Sequence, residues 1–419
     1  MRTVRGSRGA FALLASRFGT SAKPWCAQAW CAPAPALAQH TAAMASAAAG
    51  GSATPGSPQV LLHCNWANHQ LWYDLLRAEG VPIAWPEEVT DWGAVELAVG
   101  WAFTPEVIAK MPSLRAVASL GAGVDHALGQ AGLVPEGVEV LRIVDPLMAE
   151  RMATWVLWAV INFQRRMDEY GRAQAERRWD KTVENYRPWD NGRVRVGVMG
   201  LGVMGGAVAR LLRAAGYDVA AWVRSPRAPG GGEAASAAAA VAGAGGGGMA
   251  GEAAGASAGG GSGAGAGAGA GGGAAGGGLE AVRVFAGRGA LRPFVERTDV
   301  LVCLLPLTPE TSGILSAELL SWLPKGAAVI NAARGRHLDE QALLAGLDSG
   351  HLGGAVLDVF ATEPLPPSSP LWTHPRVRIT PHISSITDVP NAAAQIADNW
   401  RRLCEGRPLA NVASRTNGY

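Results

Sequence analysis

The sequence predicts an α/β protein. Its main part is a doubly wound, mostly parallel sheet with helices on both faces, preceded by a second, smaller α/β region. Two observations carry this. From Arg193 onward, short apolar runs alternate with helical stretches: "VRVGVM", "AVARLLRAAG", "YDVAAWV", then "TDVLVCLLP", "GAAVINAARG", "GGAVLDVF" and "RVRIT". Between about Pro58 and residue 150 the alternation has strands of its own ("VELAVGW", "LRAVASL") and its own helices ("HQLWYDLLRAEG", "TPEVIAKMP"). A chain of 419 residues is long enough for two cores.

The first 57 residues differ from the rest. Arg2, Arg5, Arg8, Arg17 and Lys23 punctuate an Ala/Ser-rich stretch, and no acidic residue precedes Asp74. An Arg-studded amphipathic leader predicts an organellar transit peptide, the mitochondrion first and the plastid as alternative; a disordered Ala-rich tail is the competing reading. Because the whole chain carries a formal charge of only +2, the body after this leader is slightly acidic. That balance argues against a nucleic-acid partner. No run of strongly apolar residues is long enough to predict a membrane span. Five scattered cysteines without a CxxC predict neither a zinc site nor a disulfide framework, and point to a reducing compartment.

Two further segments organise the chain. Residues 148 to 174 are apolar on more than one side, with no Gly before Gly171, and predict one long helix buried between domains or subunits. The arginines at 165, 166, 172, 177 and 178 predict a solvated face. Residues 228 to 278 are almost wholly Ala and Gly. They lack the apolar surface that offsets ordering entropy and predict a disordered insert.

The stretch "VGVMGLGVMGGAVARLL" holds Gly200, Gly202 and Gly205 in GxGxxG spacing between a strand and a helix. The first glycine permits the tight turn, the second lets a pyrophosphate approach the backbone, and the third allows close helix–strand packing. Val203 and Met204 then open the helix whose N-terminus faces the phosphates. At the end of the next strand an NAD site places an acid for the ribose hydroxyls. Here Val223 takes that place, followed by Arg224, Ser225 and Arg227. A missing acid and added cations predict NADPH as the preferred cofactor, with NADH as the alternative.

In open α/β sheets, ligands bind beyond the carboxyl ends of the strands. The residues just past the strands are Gly200, Leu305-Pro306, Ala332-Ala333-Arg334, Asp358 and His382, so all are expected at one rim. Arg334 there is a fixed cation for a carboxylate or keto oxygen, His382 a proton donor, and Glu363 a carboxylate able to hold the imidazolium. This trio suits reduction of a small 2-oxo acid. Upstream, Gly121-Ala122-Gly123 after "RAVASL" offers consecutive N–H groups to a carboxylate; an ordinary tight turn fits the local sequence equally well.

These pieces together resemble the D-isomer-specific 2-hydroxyacid dehydrogenases over residues 59 to 419, apart from the Ala/Gly insert. The motifs are "GAGVD", "GLGVMG", "LLPLTPET", "NAARG", "LDVFATEPLPPSSPLW" and "TPHISSIT", and the part from "LPLTPET" to "RTNGY" is most similar to the glyoxylate/hydroxypyruvate reductase branch. The resemblance implies reduction of glyoxylate to glycolate and of hydroxypyruvate to D-glycerate. It also implies a Rossmann-type coenzyme domain at 156–387 and a discontinuous flavodoxin-like substrate domain at 58–155 and 388–419, with dimerisation through the coenzyme domain. It implies that Arg334 binds substrate, Glu363 pairs with the proton donor His382, Asp358 binds the nicotinamide carboxamide, and Ala122-Gly123 bind the substrate carboxylate. Two other readings stand beside it. The glycine motif is also similar to the start of 3-hydroxyisobutyrate-type dehydrogenases, but here it lies behind a whole domain. A dinucleotide-sensing, dimeric binding protein on the same fold would keep a similar Arg/Glu/His set.

Overall fold

A computed structural model describes residues 59–64, 68–101, 103–129, 132–182, 190–225 and 282–415. The leader (1–57), Arg227 and the Ala/Gly insert (228–278) lie outside the described residues.

Two sheets form, with every strand pair parallel. The first has the order β2-β1-β3-β4-β5 and the second β12-β11-β10-β9-β6-β7-β8. In the first sheet the strands are β1 (Val60–His63), β2 (Ile83–Ala84), β3 (Leu97–Gly100), β4 (Ala116–Ser119) and β5 (Glu139–Leu141). This is the flavodoxin-like 2-1-3-4-5 order. The second contains β6 (Arg195–Met199), β7 (Asp218–Val223), β8 (Arg283–Ala286), β9 (Val300–Cys303), β10 (Ala327–Asn331), β11 (Leu352–Leu357) and β12 (Val377–Ile379). Its order is the Rossmann 3-2-1-4-5-6 with a seventh strand added. The central strands β6, β9 and β10 are almost continuous apolar runs because helices cover both faces.

The helices of the first half are α1 (His69–Ala78), α2 (Pro105–Ile108), α3 (Asp125–Leu128), α4 (Pro146–Gln164) and α5 (Met167–Ala175). Those of the second are α6 (Val203–Ala214), α7 (Leu291–Glu296), α8 (Ala317–Trp322), α9 (Glu340–Asp348) and α10 (Val389–Cys404). The single helix expected over 148–174 is broken. Arg166 takes a left-handed φ of 52°, separating α4 from α5. An αL residue satisfies the last carbonyls of a helix and turns the chain, and Arg165 and Arg166 donate back to Ile161 and Phe163 accordingly.

Helix α4 starts on Pro146 behind Asp145, whose Oδ1 accepts the Leu147 N–H at 2.9 Å. It buries Met152, Ala153, Val156, Ala159 and Val160 in one core with Val208, Ala209 and Leu212 of α6. Its other side leaves Leu147, Trp158 and Ile161 about 40% or more exposed, with Met167 beyond it. Helix α10, capped by Asp388, returns the chain to the first sheet. There Val389, Ala393, Ile396 and Trp400 share a core with Val60, Leu62, Val99 and Leu120. The residues after it return to the same sheet: Ala413 N–H donates to Val140 at 2.7 Å, and Arg415 donates to the carbonyls of Val134, Pro135 and Val138.

Candidate active site

Parallel pairing puts the carboxyl ends of β6, β9, β10, β11 and β12 on one edge of the second sheet. The order reverses between β6 and β9, which opens a crevice there.

The glycine turn lies on that crevice. Gly200 has φ +100°, a conformation that only glycine enters without strain, and its N–H donates to Trp222 at 2.8 Å. A Cβ on Gly205 would stand 1.9 Å from the Gly200 carbonyl, so α6 packs against the turn with no room for a methyl. At Gly202 nothing lies within 4 Å of the same construction. Open space before a helix N-terminus, in a turn that needs glycine on either side, fits a dinucleotide pyrophosphate. Val203 and Met204 come next as half-buried residues, and Met204 packs against the cores of both sheets.

At the end of β7, Arg224 Nη1 lies 3.2 Å from Glu310 Oε2 and 3.5 Å from Thr308 Oγ1, and Ser225 beside it is exposed. Thr308 and the charge of Arg224 hold the Glu310 carboxyl below its ordinary value; the Thr308 hydroxyl is the larger cause. After β9, Leu305 is buried, and Pro306 presents a carbonyl that accepts from Thr311 Oγ1 at 2.7 Å.

Arg334 closes the crevice from β10. Ala332 and Ala333 before it are buried. The turn is held by Asn331, whose Nδ2 donates to the Arg334 carbonyl at 3.0 Å and whose Oδ1 accepts the Ala333 N–H at 3.2 Å. The Arg334 side chain reaches the first sheet. Nε donates to Asp125 Oδ1 at 2.8 Å, and Nη1 donates to the Ala333 carbonyl at 2.8 Å. Nη2 stands against Gly123, where a built Cβ would come within 1.6 Å of it. No hydrogen bond from Nη2 is found among the described residues, so this arm of the fork is available to a carboxylate.

The loop carrying Ala122 and Gly123 lies directly after β4. Ser119 Oγ shapes it by donating to the Gly123 carbonyl at 2.9 Å and accepting the Gly121 N–H at 3.2 Å. The next turn carries His126, stacked on Trp101 with ring centroids 4.0 Å apart. Both of its ring nitrogens are shut off from solvent and lack hydrogen-bond partners among the described residues. Burial, opposed by Asp125 and aided by Arg334, lowers its pKa to about 4, so the ring is neutral near pH 7.

Beyond β11 and β12, Asp358 is fully buried and organises the last loop. Its carboxylate accepts the Thr380 hydroxyl, the Ile383 N–H at 2.9 Å and the Ser384 N–H at 2.9 Å. Its main-chain carbonyl accepts from His382 N–H at 2.8 Å, and His382 sits at φ 55°. Three of the four acceptor sites of the Asp358 carboxylate are thus used within the chain. His382 Nδ1–H donates to Glu363 Oε2 at 2.7 Å, and Glu363 Oε1 accepts the Phe360 N–H at 2.9 Å. Burial raises the Glu363 carboxyl, but the bonds from His382 and Phe360 and the charges of His382 and Arg334 outweigh it, and the net shift is downward. With Nδ1 held by a carboxylate, Nε2 of an exposed ring is left to exchange a proton.

All the residues expected at the rim lie at the ends of their strands. Sequence reasoning missed Asp125, although it closes the "GAGVD" motif, and also missed His126, Asn331 and His337. The pairing signal for Asp125 was unreadable, because Arg334 lies 209 residues away. Among the described residues, no helix is long and apolar enough to cross a membrane, and no cluster of ligating side chains fits a metal ion.

The family model for the D-isomer specific 2-hydroxyacid dehydrogenase NAD binding domain matches residues 157–242 and 281–384. The glyoxylate/hydroxypyruvate reductase A of Serratia proteamaculans is 35% identical over 328 residues, covering 77% of this chain and 88% of that protein. The protein of the same name from Escherichia fergusonii is 34% identical, covering 83% and 96%. Among solved structures, a D-isomer specific 2-hydroxyacid dehydrogenase from Xanthobacter autotrophicus Py2, in complex with NADPH and MES, superposes with a TM-score of 0.68 at 34% identity, covering 87% of this chain and all of that one. An NADPH-dependent glyoxylate/hydroxypyruvate reductase from Sinorhizobium meliloti, in complex with NADP and sulfate, gives 0.67 at 30% identity with the same coverage. These relatives correct the expected location. They come from bacteria, which have neither mitochondria nor plastids, and this points against the organellar assignment drawn from the leader. Fold, glycine turn and relatives agree: the chain belongs to the D-isomer specific 2-hydroxyacid dehydrogenase family and is a nicotinamide-dinucleotide-dependent oxidoreductase.

Proposed function

We propose that this protein reduces small 2-oxo acids, glyoxylate to glycolate and hydroxypyruvate to D-glycerate, with NADPH preferred over NADH. The observation that carries the reading is the convergence of Arg334, Glu363 and His382 on one sheet edge, with His382 held on Glu363 at 2.7 Å. The relatives named for these two substrates support it.

The dinucleotide supplies the hydride to the carbonyl carbon. This chain supplies the rest. Ala122 and Gly123 and the free arm of Arg334 receive the substrate carboxylate. The charge of Arg334 polarises the keto oxygen, and His382 Nε2 gives that oxygen its proton. Glu363 holds the imidazolium that gives it. Gly200, Gly202, Val203, Met204 and Gly205 hold the pyrophosphate. Leu305, Pro306, Ala332 and Asp358 border the nicotinamide, and Arg224 with Ser225 takes the 2′-phosphate.

Residues 58–155 and 388–419 form the substrate domain, a reading supported by the shared core of α10 and the first sheet, and 156–387 form the coenzyme domain. The assembly is a homodimer, which the exposed Leu147, Trp158 and Ile161 of α4 support. One assay tests the activity: the chain without its first 57 residues, with NADPH and NADH, against glyoxylate, hydroxypyruvate and pyruvate. NADPH oxidation with the first two acids is expected. Tight NADPH binding without turnover would instead favour a sensor.

A further inference from the structure

His337 plays no part in the chemistry above, yet it is fully buried at the centre of the rim. It lies three residues after Arg334, in the short 3₁₀ turn Gly335–His337. Its Nε2 lies 3.3 Å from the Pro306 carbonyl, and its Nδ1 lies 3.2 Å from the Arg334 N–H and 3.1 Å from the Arg334 carbonyl. Burial lowers its pKa against the pull of those two carbonyls, so the ring carries one proton near pH 7.

One proton can satisfy these neighbours in only one good way. The Arg334 carbonyl already accepts from Asn331 Nδ2. The Arg334 N–H needs an acceptor, and buried N–H groups are rarely left without one. Nδ1 therefore accepts from Arg334, and Nε2–H donates to Pro306. The second bond matters because it spans strands. Thr311 also reaches the Pro306 carbonyl, but from the same loop, whereas His337 reaches it from the turn after β10.

We propose that His337 is a positioning residue that ties the loop bordering the nicotinamide to the turn carrying the substrate-binding arginine, through one hydrogen bond on each ring nitrogen. It touches neither ligand and acts through Pro306 on one side and Arg334 on the other. The inference rests on the roles given to those two residues under the proposed function.

Three variants separate the two bonds. In His337→Asn the amide oxygen replaces Nδ1 as acceptor for Arg334 and the donor to Pro306 is lost. In His337→Gln the amide nitrogen replaces Nε2 as donor and the acceptor for Arg334 is lost. His337→Phe keeps the ring volume and loses both. Measured quantities are the Kd for NADPH by fluorescence titration without substrate, the KM for glyoxylate, and the melting temperature. A neutral hydrogen bond contributes about 0.5–1.5 kcal/mol, so each lost bond is expected to cost about twofold to tenfold. His337→Asn should raise the NADPH Kd with KM near wild type, His337→Gln should raise KM with Kd near wild type, and His337→Phe should raise both. Identical behaviour of the Asn and Gln variants, or a fall in melting temperature alone with both constants unchanged, would overturn the proposal. If the wild-type chain turns over no 2-oxo acid, the proposed function fails. The NADPH Kd of the Asn and Gln variants then still decides whether His337 holds the Pro306 loop.

Discussion

A methyl group on Gly123 would stand 1.6 Å from Nη2 of Arg334, so a loop of one sheet and the cation of the other meet with no space between them. The obstructing atom is the far end of a flexible side chain, so the clash is relieved by moving the guanidinium. Gly123→Ala is therefore expected to raise the KM for 2-oxo acids by tenfold or more, about what one charged hydrogen bond contributes, with little change in melting temperature. Steady-state kinetics and a thermal melt on the same preparation check both halves.

The His382–Glu363 pair gives a sharper loss. Removing a positioned general acid costs roughly 10²–10⁴ in rate. His382→Gln should lose turnover on that scale while the NADPH Kd stays near wild type. Glu363→Gln should lose less, since an amide oxygen can still orient the ring. Unchanged turnover in His382→Gln would remove the imidazole from the mechanism.

Cofactor choice should depend on Arg224 and on the acid beside it. Arg224→Ala is expected to weaken NADPH by about tenfold to a hundredfold, the range of one or two charge-assisted contacts, and to leave NADH nearly unaffected. Glu310 competes with a phosphate for the same guanidinium at 3.2 Å. Glu310→Gln should therefore tighten NADPH, and equal effects on the two cofactors would refute the assignment.

Part of the acid sensitivity should trace to His126. Its folded-state pKa, about 4, lies below the ordinary 6.5. Between those values the unfolded chain binds a proton that the folded one excludes, so stability is complete above pH 6.5 and declines as pH falls toward 4. The full loss is about 3 kcal/mol. His126→Phe keeps a ring on Trp101 and should make this decline shallower in urea unfolding between pH 7 and pH 4. A slope unchanged from wild type would assign the acid loss to other groups.

The subunit contact is tested on α4. Trp158→Glu combined with Ile161→Glu should convert a dimer to a monomer in light scattering after size exclusion, because both side chains are about 40% exposed in the single chain. A wild-type monomer would exclude the assembly outright.

Much of this architecture was readable from local pattern. β6, β9 and β10 are apolar runs ending at glycine, proline or a small-residue turn, and a parallel sheet necessarily gathers the turns at their carboxyl ends along one edge. β8 escaped notice because it is an edge strand with Arg283, Val284 and Ala286 exposed, just beyond the Ala/Gly insert. The break at Arg166 was hidden because nothing in its residue type announces a left-handed backbone. Asp125 and His337 depend on contacts between elements. A buried histidine and a half-buried aspartate look ordinary until the partner strand is known.

The return of α10 and the last residues to β5 has a consequence for synthesis. The first sheet takes Ile396, Trp400 and Ala413 into its interior, and these are synthesised after every strand of the second sheet. The later sheet has all its strands by Ile379. A stop codon upstream of α10 would therefore leave the earliest-made half without its closing layer.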